Sequence, residues 1–164
     1  MTRNIVRKTV FAGVVAALYI ALVMLNIGYS FGPVQFRAAE ALTLLPFLFP
    51  ESIPGLFIGC LLSNTFSRYG APDIIIGSLA TLLAAFLTAR CGNRWLAALP
   101  PVIVNALAIG AMITFLYTPD ATWVSLPLNI GSVALGQTAV CFGLGVPLTV
   151  ILQKANLKYA IYRR

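Results

Sequence analysis

The sequence predicts an all-α integral membrane protein: a bundle of about six transmembrane helices with both termini in the cytoplasm. Composition, the spacing of apolar segments and the placing of basic residues all lead there. Hydrophobic residues make up 60% of the 164 and charged residues only 9%, and the mean hydropathy is strongly positive. So little polar surface cannot cover a domain in water. A span takes about 20 apolar residues to cross roughly 30 Å of hydrocarbon, so the chain has room for five or six crossings and almost nothing besides. Residues 1–164 read as one transmembrane domain set in a lipid bilayer.

Apolar segments run at roughly 9–29, 38–49, 54–66, 72–90, 95–117 and 126–153, with no linker, repeat or low-complexity run between them. The first begins like a signal peptide, but it extends past Leu25 with no A-x-A-like cleavage site, and a retained helix is expected. The stretch 38–66 is interrupted by Pro46, Pro50 and Pro54, so it is one broken helix or two short ones folding back. Charge separates the two readings. Two helices place Arg3, Arg7, Lys8, Arg90, Arg94, Lys154, Lys158, Arg163 and Arg164 on one side, nine basic residues against Arg37 and Arg68; one helix gives four against seven. An excess of positive charge in cytoplasmic loops favours two helices. Helices 2 and 3 are then short, and their turn at Phe49 to Pro54 lies inside the membrane thickness, covered by protein. Pro100 and Pro101 are expected to kink helix 5.

Several chemistries are excluded at this stage. The net charge of +7 does not point to nucleic acid, because the basic residues sit at the ends of apolar segments, where they face lipid headgroups. Histidine is absent, Cys60, Cys91 and Cys141 form no CxxC pair, and the four carboxylates are scattered, so no metal site is expected. Lys8, Lys154 and Lys158 are the only lysines and none follows a glycine, so there is no phosphate-binding loop for ATP. A lipid-modifying enzyme is disfavoured, since no histidine and no carboxylate pair on the cytoplasmic side exists for acid/base work. No catalytic residue is assigned.

In this topology Arg37, Glu40, Asp73 and Asp120 lie toward the outer side, and Glu51 alone sits at the inner turn. Glu51, in Pro-Glu-Ser-Ile-Pro, suits a helix start, where a carboxylate meets the positive end of the dipole. Two roles stay open for Glu40: an intrahelical pair with Arg37 at i, i+3, or part of a binding site. Asn105 on helix 5 and Gln137 on helix 6 fall at a similar depth, ~17 Å below the outer ends by helical rise; Asn129 is shallower and Asn64 is near the outer end of helix 3. Buried amides turn toward another helix or a ligand. Singly they read as interhelical links. Together with the acids they predict an outward-facing polar pocket, with Tyr29, Phe31, Phe36, Phe115, Tyr117 and Trp123 available to stack on a flat ligand. On helix 1, Ala12/Ala16 and Gly13/Ala17/Ala21 form rows of small residues that permit close helix approach, inside the bundle or against a partner.

The runs FRAAEALTLLPFLFPESIPGLFIGCLLSN (36–64) and DIIIGSLATLLAA (73–85) resemble the QueT-type queuosine-precursor transporters, substrate-binding S components of energy-coupling factor (ECF) transporters. The likeness extends over nearly the whole chain, to about Gln153. It implies a substrate-capture subunit with six helices that takes a 7-deazaguanine, such as 7-aminomethyl-7-deazaguanine, from the extracellular side. It further implies a transmembrane coupling subunit and two cytoplasmic ATPase subunits as partners, with ATP and Mg used by those subunits and no cofactor in this chain. An A-x-x-x-A contact with the coupling subunit maps onto Ala12/Ala16 or Ala17/Ala21. For such a ligand, Glu40 and Asp73 are the acids available to meet its ammonium and its guanine-like edge, and Asn105, Asn129 and Gln137 complete the hydrogen bonds. Arg37 orients Glu40 or closes over the ligand, and Phe36 lies on the ring face. The alternative is a solitary carrier, facilitative or ion-coupled through Glu40 or Asp73, for a vitamin-like or purine-like solute.

Overall fold

The computed structural model describes residues 2–30, 36–119 and 123–155, and among them every regular element is helical. Helix α1 is Thr2–Leu25, followed by a single turn at Ile27–Ser30. Helix α2, Ala38–Phe47, is a ten-residue 3-10 helix; a 3-10 turn at Pro50–Ser52 leads into α3, Ile53–Asn64. The rest is α4 (Gly70–Thr88), α5 (Arg94–Tyr117) and α6 (Ser125–Lys154). Helix α5 is interrupted at Ala98, so that Pro100 and Pro101 enter near the start of the resumed helix Leu99–Tyr117, where a missing N–H costs least. Helices α4 and α6 each contain a π-helical turn, at Asp73–Gly77 and Cys141–Gly145.

Four of these helices, α1, α4, α5 and α6, are long and apolar enough to cross a membrane. The other two are not. Ten residues of 3-10 helix cover ~20 Å and twelve of α-helix ~18 Å, against a hydrocarbon thickness of roughly 30 Å. Contacts give their directions. Asn26 at the end of α1 donates to the carbonyl of Phe36 at 2.9 Å, and the ring of Phe49, just past α2, lies 5.3 Å from that of Phe11. Helix α2 therefore runs back along α1. Helix α3 then follows α1 in its own direction, with Gly55 at Ala12 and Gly59 at Ala16. The stretch 38–66 is thus two helical segments joined by a turn at the end of the bundle where α1 begins. Leu148 and Leu152 of α6 pack on the same cluster as Phe11, so the described start and end of the chain share that end.

Packing explains the path. On α1, Val15, Tyr19 and Val23 recur every four residues and are buried, one inward stripe. Helix α2 is buried from Ala39 through Pro46 without a gap, as an element apolar all round must be, and every other labelled helix touches it. Helix α3 approaches α1 at backbone distance: a Cβ on Gly55 would lie 2.2 Å from the Ala12 carbonyl oxygen, and one on Gly59 2.8 Å from Tyr19 Cβ. Small residues permit such approach where no hydrophobic force drives helices together. Val10, Val14, Leu18, Leu79, Leu83 and Leu107 point outward, a surface suited to lipid. Gly55→Ala is expected to destabilise the protein by about 1–3 kcal/mol through overpacking. Gly13→Ala, whose added methyl meets nothing within 4 Å, should change stability by less than about 1 kcal/mol; unfolding in detergent measures both.

Candidate functional site

The buried charges gather around the start of α2. Glu40 is 1% exposed. Its Oε1 accepts from the Tyr19 hydroxyl of α1 at 2.6 Å, and its Oε2 from Asn105 Nδ2 of α5 at 3.1 Å. A carboxylate held among helices needs such donors, because desolvation costs several kcal/mol otherwise. Arg37, in extended conformation just before α2, places Nη1 4.0 Å from Glu40 Oε1 and Nη2 3.7 Å from Asp73 Oδ2. Asp73 opens the π turn of α4 and is completely buried. Neither of its carboxylate oxygens accepts a hydrogen bond, while its backbone carbonyl accepts from Asn64 Nδ2 at 2.9 Å. Cys60 fills the space between α3 and α4, with Sγ 3.3 Å from Thr81 Oγ1 and 3.4 Å from Asn64 Nδ2. With both acids ionised, the cluster holds one cation and two anions, a formal charge of −1.

The other candidates are placed as follows. Gln137 is buried on α6, and its Oε1 accepts from Cys141 Sγ at 3.8 Å; the same thiol reaches the Glu40 carbonyl at 3.8 Å. Asn129 lies farther along the α5–α6 contact, where its amide donates to Thr114 Oγ1 at 2.9 Å and Thr118 Oγ1 at 3.3 Å. Phe36 has an exposed ring. Of the proposed stacking aromatics, Tyr29, Phe115 and Trp123 are exposed on the outside of the bundle, where aromatic residues suit the headgroup region. Tyr117 packs edge-on to Tyr69 and donates to its carbonyl. Phe31, Asp120, Lys158, Arg163 and Arg164 lie outside the described residues. Glu51 pairs with Lys8 at 3.2 Å, well away from the cluster. Among the described residues no group of three or more His, Cys, Asp or Glu side chains could hold a metal ion.

On α1 the two rows of small residues separate. Ala12 and Ala16 meet Gly55 and Gly59 inside the bundle, whereas Gly13, Ala17 and Ala21 are exposed. A groove of about 460 Å³ opens between α1 and α3, lined on the α1 side by Ala12, Gly13 and Ala16, with Lys8 and Glu51 also in its lining and Pro54 and Ile58 on the α3 side.

Sequence reasoning missed Tyr19, Cys60 and Thr81. A signal for Tyr19 did exist: it is the one residue with a polar tip on the i, i+4 stripe of Val15 and Val23, and a buried Tyr hydroxyl usually has a partner.

Long apolar helices around an enclosed charged cluster define a multi-pass membrane protein with an internal polar site. The chain belongs to the QueT transporter family, whose family model matches residues 9–154. The queuosine precursor transporter QueT of Lactococcus lactis subsp. cremoris (strain MG1363) is 40% identical over 72 residues, an alignment that spans 43% of this chain and 42% of that protein. No solved structure matches this chain.

Tyr19→Phe removes a bond to a charged group, and a loss of about 1.5–3 kcal/mol is expected. In a double-mutant cycle with Glu40→Gln, a coupling of about 1 kcal/mol or more should appear in unfolding measurements, because the two groups share one bond.

Proposed function

We propose that this chain is the substrate-capture (S) subunit of an ATP-driven ECF-type uptake transporter, and that it binds a 7-deazaguanine queuosine precursor such as 7-aminomethyl-7-deazaguanine. Membership of the QueT transporter family supports transport. The observation that carries the substrate reading is the buried cluster of Arg37, Glu40 and Asp73, with two carboxyl groups to one cation and with two Asp73 oxygens without donors. A ligand bearing an ammonium and a guanine-like edge brings both the missing charge and the missing donors. Asn105 and Gln137 stand beside the cluster as further hydrogen-bonding groups, and Asn129 and Phe36 are assigned to its outer margin.

In the proposed orientation six helical segments lie in the membrane, four of them long enough to cross it and α2 and α3 a short pair whose turn sits within its thickness. The end of the bundle with Arg7, Lys8, Arg90, Arg94 and Lys154 faces the cytoplasm, which places the cluster in the outer half. The chain has no catalytic activity of its own; a transmembrane coupling subunit and two cytoplasmic ATPase subunits supply drive, using ATP and Mg. Ala12 and Ala16 pack against α3 at Gly55 and Gly59 yet also line the open groove, so of the two rows the more exposed, Gly13/Ala17/Ala21, is assigned to the coupling subunit, with Ala12 and Ala16 at its edge.

Calorimetry on purified protein tests the site. Glu40→Gln and Asp73→Asn should each weaken binding at least tenfold, about 1.4 kcal/mol, while Glu51→Gln changes it little; wild-type affinity in both of the first two would sink the assignment. For the partner, Ala17→Trp should abolish uptake in cells that contain the coupling module yet spare ligand binding. Uptake in cells without that module would instead indicate a solitary carrier.

A further inference from the structure

Among the described residues, both carboxylate oxygens of Asp73 and the amide oxygen of Asn64 are buried acceptors that receive no hydrogen bond, and Ser78 Oγ on α4 is likewise without a partner. Asp73 and Asn64 are wholly enclosed. Buried acceptors ordinarily find donors, and those that do not call for an explanation. Glu40, only one helix away, is satisfied by Tyr19 and Asn105, so of the two buried carboxyl groups only that of Asp73, on the α3–α4 side, lacks donors. Gly77 keeps that side open. A Cβ there would lie 2.7 Å from Asp73 Oδ1 and 2.8 Å from Asn64 Nδ2, so any larger residue would press the two polar groups out of place.

The cation nearest to these acceptors stops short of them. Charge-assisted hydrogen bonds run about 2.7–2.9 Å, and Arg37 stands 3.7 Å from Asp73 and 4.0 Å from Glu40. A guanidinium's planar fork suits bidentate seating on one carboxylate. Here it lies between two, close enough to balance charge and too far to bond Asp73. It is also 5% exposed, so a ligand that reaches Asp73 has to move it. Once moved, it still has Glu40 at hand, and its charge is not stranded.

We propose that Arg37 is a resident stand-in for the substrate: it holds the seat beside Asp73 and Asn64 until a ligand with a planar fork of N–H and NH2 groups displaces it and donates to both. This rests on the reading of the chain as a 7-deazaguanine binder, whose 2-aminopyrimidinone edge is such a fork. Displacement sets a cost on binding that removal of the arginine relieves, as with any competing occupied state.

The test is calorimetry of the full-length protein with 7-aminomethyl-7-deazaguanine, together with thermal unfolding in methylguanidinium as a small fork-bearing probe. Arg37→Met is expected to bind the deazaguanine at least about threefold more tightly than wild type, since no competing side chain has to leave. Methylguanidinium should stabilise this variant, compete with the deazaguanine in it and leave wild type unchanged. Asn64→Leu should lower deazaguanine affinity at least tenfold, with or without the Arg37 substitution. Affinity in Arg37→Met equal to or weaker than wild type overturns the proposal, because Arg37 is then a contact and not a competitor. Should Arg37→Met fail to fold, Arg37→Lys, which keeps the charge and loses the fork, must bind more tightly than wild type on the same logic, and weaker or equal binding overturns it. Stabilisation of Arg37→Met by methylguanidinium, with no deazaguanine bound by wild type, would keep the displacement and refute the proposed substrate.

Discussion

One carboxylate is buried in the most enclosed segment of the protein, and the helices are arranged around the need to satisfy it. Glu40 lies on α2, which is covered on all sides. At 1% exposure it is shielded from bulk solvent, and α1 supplies the Tyr19 hydroxyl and α5 the Asn105 amide. Arg37 then links the same cluster to Asp73 on α4, Asn64 joins α3 to α4 through the Asp73 carbonyl, and Cys141 of α6 reaches the Glu40 carbonyl. Each helix thus has a polar contact with the cluster. In a bilayer, where apolar surface gives little preference for one helix neighbour over another, such contacts and close packing decide who lies beside whom.

Irregular helix geometry concentrates at this level. The π turns at Asp73–Gly77 and Cys141–Gly145 each insert an extra residue into a turn and so re-aim the side chains that follow. Asp73 itself begins one of them. Regular α-helix through 73–77 would give its carboxylate a different heading relative to Gly77. These two turns belong to helices that otherwise run long and regular.

How much of this was legible in the chain differs by the kind of information. Helical segments could be read from hydropathy alone, because each residue's preference for lipid is its own property. Arg37, Glu40, Asp73 and Asn105 could be expected to converge, since charged and amide groups in apolar segments turn away from hydrocarbon. What could not be read is direction among equals. Ala12/Ala16 and Gly13/Ala17/Ala21 are alike in sequence, and only Gly55 and Gly59, some forty residues on, settle which row is covered. The aromatics Tyr29, Phe115 and Trp123 have the right faces for stacking, but residue type says nothing about which way they point, and they point outward. Nor does composition separate a 3-10 from an α-helix over 38–47, because both bury the same leucines.

That 3-10 winding makes α2 a triangular prism. At three residues per turn, side chains at i and i+3 stack directly above one another, so the segment has three flat walls and not a spiralling stripe. One wall is Glu40, Thr43 and Pro46, polar at its upper edge, where the Thr43 hydroxyl donates to the Glu40 carbonyl. A second, Ala39, Leu42, Leu45 and Leu48, faces the cluster of Val15, Tyr19 and Val23. The third carries Ala41 and Leu44, both beside Gly145. Such a prism is indexed in steps of about 120°. Inserting or deleting one residue before Glu40 would not blur the pattern, as it does on an α-helix, but would exchange whole walls and turn the carboxylate toward leucines. The walls leave little room for a change of bulk, since Ala41 and Leu44 already crowd Gly145, and none for a change in length.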